Sequence, residues 1–242
     1  MGRFLFPLMD RKQVAEGTMA FWFDTTSSRK FKHMPGQYVD ITLRKPSYID
    51  HEGNSRSFTI ASSPTEKGKI MITTRMRDTA FKNSLKEVPL GTKVIIQGPK
   101  GSFVLRKNYH RPAVFLAGGI GVTPFRSIIK YTVDKKLRHE IYLFYSNRTQ
   151  KLAAFLEDLE RWQSEDRNFK LIPTVTEEKG NEWKYEIGKI DEKMLRTHLG
   201  RDFSNGVYYV AGPPDMVNGM SQFLMKIGVD EDSIESEGFD GY

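Results

Sequence analysis

A glycine-rich turn at the start of the second half of the chain has residue types that suit a phosphate group. It reads Gly118-Gly119-Ile120-Gly121-Val122-Thr123-Pro124 and follows the apolar run Ala113 to Ala117. Glycines permit a close approach of the backbone, and the free amides at a helix start attract an anion such as a pyrophosphate. Thr123 is predicted to be the N-cap and Pro124 the first helical residue. A simple strand-to-helix turn explains the same residues equally well.

The tip of the next predicted strand bears on which dinucleotide would bind there. Nucleotide-binding folds often present a carboxylate at this place to the ribose hydroxyls. This strand instead ends in Tyr145-Ser146-Asn147-Arg148, and an arginine with a hydroxyl suits a 2′-phosphate. These residues favour NADPH over NADH. Alternatively, Arg148 is a solvated loop residue that binds no phosphate.

A second motif, Arg56-Ser57-Phe58-Thr59, combines a cation, an aromatic ring and hydroxyls on one predicted strand. Arg56 and Phe58 are expected to share one face of the strand, with Thr59 on the other. Twist at the strand end would let all three side chains reach one elongated ligand. Arg56 would then contact a phosphate, Phe58 would pack on a ring, and Thr59 would hydrogen-bond to a ring nitrogen. The alternative is an ordinary amphipathic strand, which composition alone favours.

A third motif, Val210-Ala211-Gly212-Pro213-Pro214-Asp215-Met216, reads as a strand end that breaks into a helix with proline in its first turn. In a parallel sheet it would lie beside the glycine-rich turn, at the carboxyl edge where ligands bind. The apolar residues that continue at helical spacing are interpreted as core. They are Met216, Met220, Phe223, Leu224 and Ile227.

The first half of the chain must position the second motif. The spacing of apolar residues and turns in this half is typical of short strands. Alternating apolar residues and closely spaced turns predict about six strands, and therefore an antiparallel barrel or sandwich. The predicted strands are Met19 to Phe23, Val39 to Leu43, Phe58 to Ile60, Ile70 to Thr74, Val94 to Ile96 and Phe103 to Leu105.

After Pro112 the rhythm changes to buried apolar runs that alternate with helical stretches. This alternation predicts a parallel sheet of doubly wound type. The boundary is expected near residues 106–112, which gives domains 1–108 and 109–242. The predicted strands are Ala113 to Ala117, Ile141 to Ser146, Phe169 to Val175 and Val207 to Ala211, and one predicted helix carries Leu152, Phe155, Leu156 and Leu159 on a single face.

Composition excludes several kinds of protein. The 242 residues contain no cysteine, so disulfides, thiolate nucleophiles and cysteine-held metals or clusters are excluded. The five histidines lie far apart, and no metal site is assigned. No apolar run approaches the ~18 residues of a membrane helix, and Phe4 to Met9 is too short for a signal peptide, so we expect the cytoplasm. The oligomeric state is not readable.

Charge is uneven along the chain. Residues 1–110 hold 19 lysines and arginines against 9 acidic residues, a balance of +10, whereas residues 111–242 have a balance of −3. A basic half attracts nucleic acid, an anionic cofactor or an acidic partner. Runs of Lys or Arg never exceed two residues, so we expect no nucleic-acid partner.

Taken in series, these motifs resemble the ferredoxin–NADP reductase superfamily of flavoproteins, in its short form without an iron–sulfur domain. The order and spacing match over essentially the whole chain. The matching pieces are the three motifs together with Gly98-Pro99-Lys100-Gly101-Ser102-Phe103, Tyr145 to Arg148 and the ending Glu237-Gly238-Phe239-Asp240-Gly241-Tyr242. The resemblance implies a six-stranded antiparallel β-barrel that binds FAD, followed by a parallel-sheet α/β domain that binds NAD(P)H.

The resemblance also implies roles for individual residues. Arg56 would pair with the FAD pyrophosphate, Phe58 would flank the isoalloxazine, and Thr59 would hydrogen-bond near the hydride-accepting N5. Glu237 would relay a proton or fix the partner, and Phe239 would cover the other flavin face. The remaining FAD contacts would be Ser57, Thr73, Thr74, Arg75, Thr79, Ala80, Phe81 and Lys82. The nicotinamide dinucleotide would contact Gly118, Gly119, Ile120, Gly121, Val122, Thr123, Pro124, Ser146, Asn147, Arg148, Gly212, Pro213, Pro214 and Met216. Alternatively, Phe239 and Tyr242 merely anchor the tail.

Four positions depart from the common family pattern. Phe58 stands where many members have Tyr, so one hydroxyl contact to the cofactor is missing, and Thr59 stands in place of Ser. Ala211 replaces a Cys near the nicotinamide, which removes any thiol role. Gly238 replaces the second Glu of a Glu-Glu-Phe ending, which weakens the expectation of carboxylate chemistry in the tail.

The resemblance implies that electrons pass from NAD(P)H through FAD to a separate carrier. Ferredoxins and flavodoxins are typically acidic, and the basic first half would steer such a partner. A second interpretation is a reductase of free flavin or ferric iron. A third, of another class, is a non-enzymatic nucleotide- or nucleic-acid-binding module.

Overall fold

Two six-stranded sheets, one after the other along the chain, form the framework of the protein. The structure is a computed structural model that describes residues 2–107, 110–177 and 183–239. The predicted division between residues 108 and 109, and the tail residues Asp240, Gly241 and Tyr242, lie outside these ranges.

The first sheet is antiparallel and curls into the barrel that the alternating pattern predicts. Its strand order is β4-β3-β6-β1-β2-β5. A bridge between Ile60 and Ile72 joins its two edges beyond β4 and so closes the curl. The strands are β1 (Gly2–Ala15), β2 (Thr18–Asp24), β3 (Tyr38–Thr42), β4 (Ser55–Thr59), β5 (Lys69–Arg75) and β6 (Lys93–Lys100), and helix α1 (Ala80–Glu87) connects the last two. Inward-facing residues such as Phe6, Phe21 and Ile96 form the barrel core.

The strand predicted at Phe103 to Leu105 is wrong. These residues belong to no strand, and Phe103 is buried because its ring packs against Phe125 and Tyr209 of the second half. The sixth strand is instead β1, which pairs with both β2 and β6. Alternation did not reveal β1, because apolar residues follow one another without interruption from Phe4 to Met9.

The second sheet is parallel, with the order β10-β9-β8-β7-β11-β12. Side chains alternate along its central strand: Phe115 belongs to one core cluster and Leu116 to the other, so both faces are covered. Its strands are β7 (Ala113–Gly118), β8 (Ile141–Asn147), β9 (Phe169–Val175), β10 (Glu186–Ile187), β11 (Val207–Gly212) and β12 (Ile234–Gly238). Its helices are α2 (Val122–Lys135), α3 (Leu156–Glu165), α4 (Glu192–Leu199) and α5 (Pro214–Lys226). The four strands predicted here are therefore confirmed.

Two helical predictions need correction. Leu152 and Phe155 precede α3 rather than sharing its face, and Phe155 has a left-handed backbone with φ of 62°. The ring of Phe155 packs against a small apolar cluster of the barrel, which explains why the residue leaves the helical pattern. The predicted apolar helix after Pro213 is α5, although Ile227 caps it rather than belonging to it.

Candidate functional site

A cleft of about 500 Å³ lies where the barrel meets the α/β half. Most of the predicted site residues meet on its walls. The barrel contributes Arg56, Ser57, Phe58, Thr59, Thr73, Thr74, Arg75, Thr79, Phe81 and Lys82, and the second half contributes Ile120, Thr123, Glu237 and Phe239. Positions from several separate stretches of sequence therefore converge on one cavity.

Strand β4 places its motif along the barrel wall. The guanidinium of Arg56 lies 5.4 Å from the ring centre of Phe81, and the Phe58 ring lies 5.7 Å from the same ring. Arg56 and Phe58 thus share a face, as their spacing predicts. Thr59 is buried at the end of the strand and lines the cleft as well.

Two hydroxyls in the cleft have unused hydrogen-bonding capacity. Thr59 Oγ1 and Thr73 Oγ1 are buried, and neither has a hydrogen-bond partner within the described part of the chain; the same is true of Arg75 Nε. A buried polar atom without a partner costs about 1–3 kcal/mol. Atoms of a polar ligand with both donors and acceptors at its edge, such as a flavin ring, would meet this requirement, so the residues present fit that group.

The N-terminus of α1 gives the cleft an anion-binding corner. Thr79 caps the helix by accepting a hydrogen bond from the Lys82 amide at 3.3 Å, and the first turn has no acidic residue. Burial lowers the pKa of Lys82, and the nearby cations Arg77 and Arg56 lower it further. Three cations at a helix N-terminus form a site suited to a pyrophosphate. Ala80 starts this helix but does not line the cleft.

Arg56 is already engaged by carboxylates of the preceding loop. Its guanidinium lies 2.7 Å from Glu52 Oε2 and 3.3 Å from Asp50 Oδ1. It also donates to the backbone carbonyls of Glu52, Gly53 and Ser55. An incoming phosphate would therefore share or displace these partners.

Glu237 and Phe239 reach the cleft from the end of β12. Burial raises the pKa of Glu237 to about 7, and its Oε2 has no hydrogen-bond partner among the residues described. The Phe239 amide donates to the Gly212 carbonyl at 3.1 Å, and its side chain packs on the core of the second half. A carboxyl group that titrates near neutrality beside a cavity suits proton transfer.

The glycine-rich turn lies beside the third motif, as predicted. A Cβ on Gly121 would lie 2.1 Å from the Ala211 carbonyl oxygen, and one on Gly118 would lie 2.1 Å from Met216 Sδ. At position 121 the clash is with backbone, so only glycine permits this approach of the turn to the end of β11. Most residues of these motifs do not line the cleft, namely Gly118, Gly119, Gly121, Val122, Pro124, Gly212, Pro213, Pro214 and Met216.

The predicted helix cap at Thr123 is wrong. Gly119 to Gly121 form a single 3-10 turn that continues into α2, and Gly121 holds the N-cap position without a side-chain hydrogen bond. Thr123 Oγ1 instead donates to the Ile120 carbonyl at 3.0 Å. Helix α2 therefore begins at Val122, two residues before the predicted first helical residue Pro124.

The tip of β8 lies next to the glycine-rich turn, because Ser146 is in register with Gly118. Asn147 is buried. The Arg148 side chain is 71% exposed and lies 3.8 Å from Glu177. None of these three residues lines the cleft, so Arg148 is a solvent-facing cation at the sheet edge.

Sequence reasoning missed Tyr38 and Glu52, which also line the cleft, and gave Gly238 no site role. Tyr38 lies opposite Thr59 in the β3–β4 ladder, a pairing that no local pattern indicates. Within the described ranges, no group of three or more His, Cys, Asp or Glu residues could hold a metal. The same ranges contain no helix that is long and apolar enough to span a membrane.

Comparisons with known proteins match this architecture half by half. The oxidoreductase FAD-binding domain family matches residues 5–105, and the oxidoreductase NAD-binding domain family matches residues 115–222. One component of the Na(+)-translocating NADH-quinone reductase of Methylococcus capsulatus is 30% identical over 203 residues, which is 77% of this chain and 49% of that protein. The chain therefore spans about half the length of this relative.

Two further comparisons cover nearly the whole chain. NADH-cytochrome b5 reductase 1 of Lodderomyces elongisporus is 24% identical over 93% of this chain and 75% of its own length. The crystal structure of a ferredoxin NADP+ reductase from Neisseria gonorrhoeae, with bound FAD and NADP, superposes with a TM-score of 0.80 at 15% identity, covering 98% of both chains. The two-domain fold is therefore shared.

Proposed function

Because the chain belongs to the ferredoxin–NADP reductase-like family of NAD(P)H-dependent flavoprotein reductases, we propose that it oxidises NAD(P)H through FAD and passes single electrons to a separate carrier protein. The observation that carries the proposal is the cleft itself. It joins a barrel wall with unsatisfied buried hydroxyls and a cationic helix start to Ile120 and Thr123 of the glycine-rich turn.

The barrel side of the cleft would hold FAD. Arg56, Lys82 and the first turn of α1 would bind the pyrophosphate, while Thr59 and Thr73 would donate to or accept from the edge of the flavin ring. Phe58 would pack on the ring, beside Ser57, Thr74 and Arg75. FAD supplies the chemistry that converts a two-electron hydride into single electrons.

The α/β side would hold the nicotinamide dinucleotide along Gly118 to Pro124, with Gly212 to Met216 shaping its nicotinamide end. Phe239 would cover the second flavin face until the nicotinamide arrives. Glu237 would hold or release a proton beside the ring, because its raised pKa of about 7 lets it do either near neutral pH.

We propose NADPH as the preferred donor on the strength of Ser146 and Arg148. No carboxylate occupies the Ser146-Asn147-Arg148 tip of β8, and the Arg148 side chain is exposed to an incoming 2′-phosphate. Its partner Glu177 lies at 3.8 Å and is itself 61% exposed, so solvent weakens this competing pair.

We propose that the carrier is an acidic protein of ferredoxin or flavodoxin type. The balance of +10 in residues 1–110 supports this, because a positive face accelerates the encounter with an acidic partner. Some relatives act with further components: one is the electron transfer component of anthranilate 1,2-dioxygenase from Acinetobacter baylyi. We also propose that the two domains divide between residues 108 and 109 and that the protein is located in the cytoplasm.

A second candidate is a reductase for which flavin is a diffusing substrate. The contacts of Asp50 and Glu52 with Arg56 favour it, because these carboxylates would compete with the pyrophosphate and loosen FAD. A protein that loses its yellow colour on desalting would support this candidate. The non-enzymatic binding module has no support once the family is known.

The first test is the visible spectrum of the purified protein before and after anaerobic addition of NADPH, with NADH in parallel. We expect flavin bands that bleach faster with NADPH. R56Q should weaken FAD retention, whereas R44Q, an exposed arginine outside the cleft, should not. A protein that stays colourless and inert when FAD is supplied would overturn the proposal.

A further inference from the structure

One arginine of the α/β half crosses to the barrel. Arg126 lies on α2, and its side chain is 8% exposed. Its Nη1 donates to the Ala61 carbonyl at 2.8 Å and to Glu66 Oε2 at 3.0 Å, and its Nη2 lies 3.5 Å from Glu66 Oε1. The guanidinium therefore donates hydrogen bonds to both a backbone carbonyl and a carboxylate of the barrel segment that follows β4.

The same guanidinium is held from its own half by α3. Asp158 lies 3.5 Å from Nη2, and the rings of Phe155 and Trp162 lie 4.9 Å and 5.3 Å from the guanidinium carbon. Phe155 in turn packs on the barrel residues Ala20, Ala61 and Met71. Arg126 thus lies at the point where α2, α3 and the barrel meet.

Neighbouring contacts stiffen the barrel side of this junction. Ser127 Oγ donates to the Ser62 carbonyl at 2.7 Å, and Ser62 Oγ accepts from the Met71 amide at 2.9 Å. Glu66 also accepts from the Ser63 amide at 2.7 Å, so its carboxylate is fixed before it meets Arg126. A carboxylate already held in place loses little freedom when it pairs with an arginine.

The junction lies close to both walls of the cleft. Arg126 comes one helical turn after Thr123, which lines the cleft from the α/β half. Ala61 comes two residues after Thr59, which lines it from the barrel. Two residues of α2 on one side, and Ile60 on the other, therefore separate the junction from the facing walls along the chain.

We propose that Arg126 is a positioning residue that sets the separation of the two cleft walls and thereby the rate of hydride transfer across them. This inference rests on the proposed function, because it assumes that donor and acceptor are bound on opposite walls. Hydride transfer requires near-contact alignment of the reacting atoms, and a misplacement of about 1 Å costs on the order of 100-fold in rate.

The experiment compares R126Q, R126K and the control R161Q in the FAD-loaded protein. Arg161 is the matched control, since it pairs with the same Asp158 at 2.6 Å but lies on the exposed face of α3, and its two ion pairs stay within that helix. The chain has no cysteine, so spin labels can be placed at Lys93→Cys on β6 and Asn218→Cys on α5 without background labelling. The readouts are the distribution of label distances and the rate of flavin bleaching at saturating NAD(P)H.

We expect a single narrow distance distribution for the parent and for R161Q. R126Q should broaden it and slow bleaching by about 10- to 100-fold, with less than about a threefold change in NAD(P)H affinity, since the dinucleotide contacts are untouched. R126K should recover part of both losses, because it restores the charge but not the bidentate geometry.

An unchanged distance distribution or an unchanged bleaching rate in R126Q would overturn the inference, because the two must change together. If R126Q does not fold, E66Q decides the matter by the same two readouts, since it keeps the shape of the partner and removes its charge. If neither nucleotide bleaches the parent protein, the proposed function fails. The label distances then still report whether Arg126 holds the two halves together.

Discussion

At the scale of single residues, the cleft depends on side chains whose charges have competing partners. Arg56 is the clearest case, because the carboxylates of Asp50 and Glu52 hold the guanidinium that is proposed to bind a pyrophosphate. The Glu52 side chain is 59% exposed, so its hold is screened by solvent and weak enough to yield to a doubly charged ligand. The contribution of Arg56 to the free energy of FAD binding is then the energy of its new pair with the phosphate minus the energy of the carboxylate pairs that this replaces.

This competition predicts that E52Q binds FAD about two- to fivefold more tightly than the parent at low salt, because one competing charge is removed. The gain should shrink at about 0.5 M salt. Titration of flavin-free protein with FAD measures it. E16Q, at an exposed carboxylate in the β1–β2 turn, should bind FAD like the parent, and a loss of affinity in E52Q would show that Glu52 orients Arg56 rather than competing for it.

Glu237 predicts a pH dependence of stability. Its pKa is about 7 in the folded protein against about 4.5 for an ordinary glutamate, so its contribution to stability is fully present below about pH 4.5 and is lost as pH rises through 7. E237Q should therefore unfold like the parent near pH 4.5 and be about 3 kcal/mol more stable at about pH 8.

Denaturant unfolding of the flavin-free protein between about pH 4.5 and 8 checks this. E231Q, at an exposed carboxylate in the turn before β12, should follow the parent curve throughout. Parallel curves for E237Q and the parent would mean that Glu237 is solvated in solution.

The motif of Arg56 to Thr59 was predictable at this scale from residue type, whereas Tyr38 and Glu52 were not, since strand pairing and a loop bring them to the cleft.

At the scale of elements, the close approach of β7, β11 and the helix start shapes the place that we propose for the dinucleotide. Gly121 has ordinary helical backbone angles, so it is required for space rather than for conformation. The glycine spacing predicted this turn and its place beside the third motif. It could not predict the 3-10 turn that moves the helix start to Val122, because that depends on how tightly two distant strands pack.

This packing predicts that G121A is destabilised by about 2–4 kcal/mol, because the new methyl group would lie 2.1 Å from the Ala211 carbonyl oxygen. G219A is the matched control. Gly219 lies in α5, and a methyl group added there would have no atom of the described residues within 4 Å, so alanine should stabilise the protein by about 0.5–1 kcal/mol. Urea unfolding of both variants measures the difference, and equal stability of the two would contradict this account of the turn.

The sequence predicted the wrong element where the local pattern of apolar residues does not reflect how those residues pack in the folded protein. Phe103 has the apolar neighbours of a strand but packs between the halves of the molecule, and β1 is a long strand whose apolar run hides its alternation. The parallel strands were found correctly, because burial on both faces gives continuous apolar runs that need no alternation.

At the scale of the whole molecule, two halves of opposite charge meet at one cleft. The halves and their fold classes were predictable from rhythm and composition. Their mode of contact was not, because Arg126 and Glu66 are 60 residues apart and nothing near either one indicates the other.

The charge of the first half predicts that reduction of an acidic ferredoxin or flavodoxin slows by about tenfold or more between about 0.05 and 0.5 M salt. Steady-state reduction of the carrier measures this effect. Reduction of a neutral quinone at the same NAD(P)H concentration is the control and should change far less. Equal salt dependence for both acceptors would remove the basic half from carrier docking.

Strand β12 lies at the edge of its sheet, in register with β11 alone among the described strands, and it carries both Glu237 and the approach to Phe239. Edge strands detach at a fraction of the free energy that unfolds the whole protein, and they exchange their amide hydrogens sooner than central strands. In the proposed arrangement, fraying of the five residues of β12 would therefore uncover the face of the flavin nearest this strand. Access of the nicotinamide would then need no movement of the barrel against the α/β half.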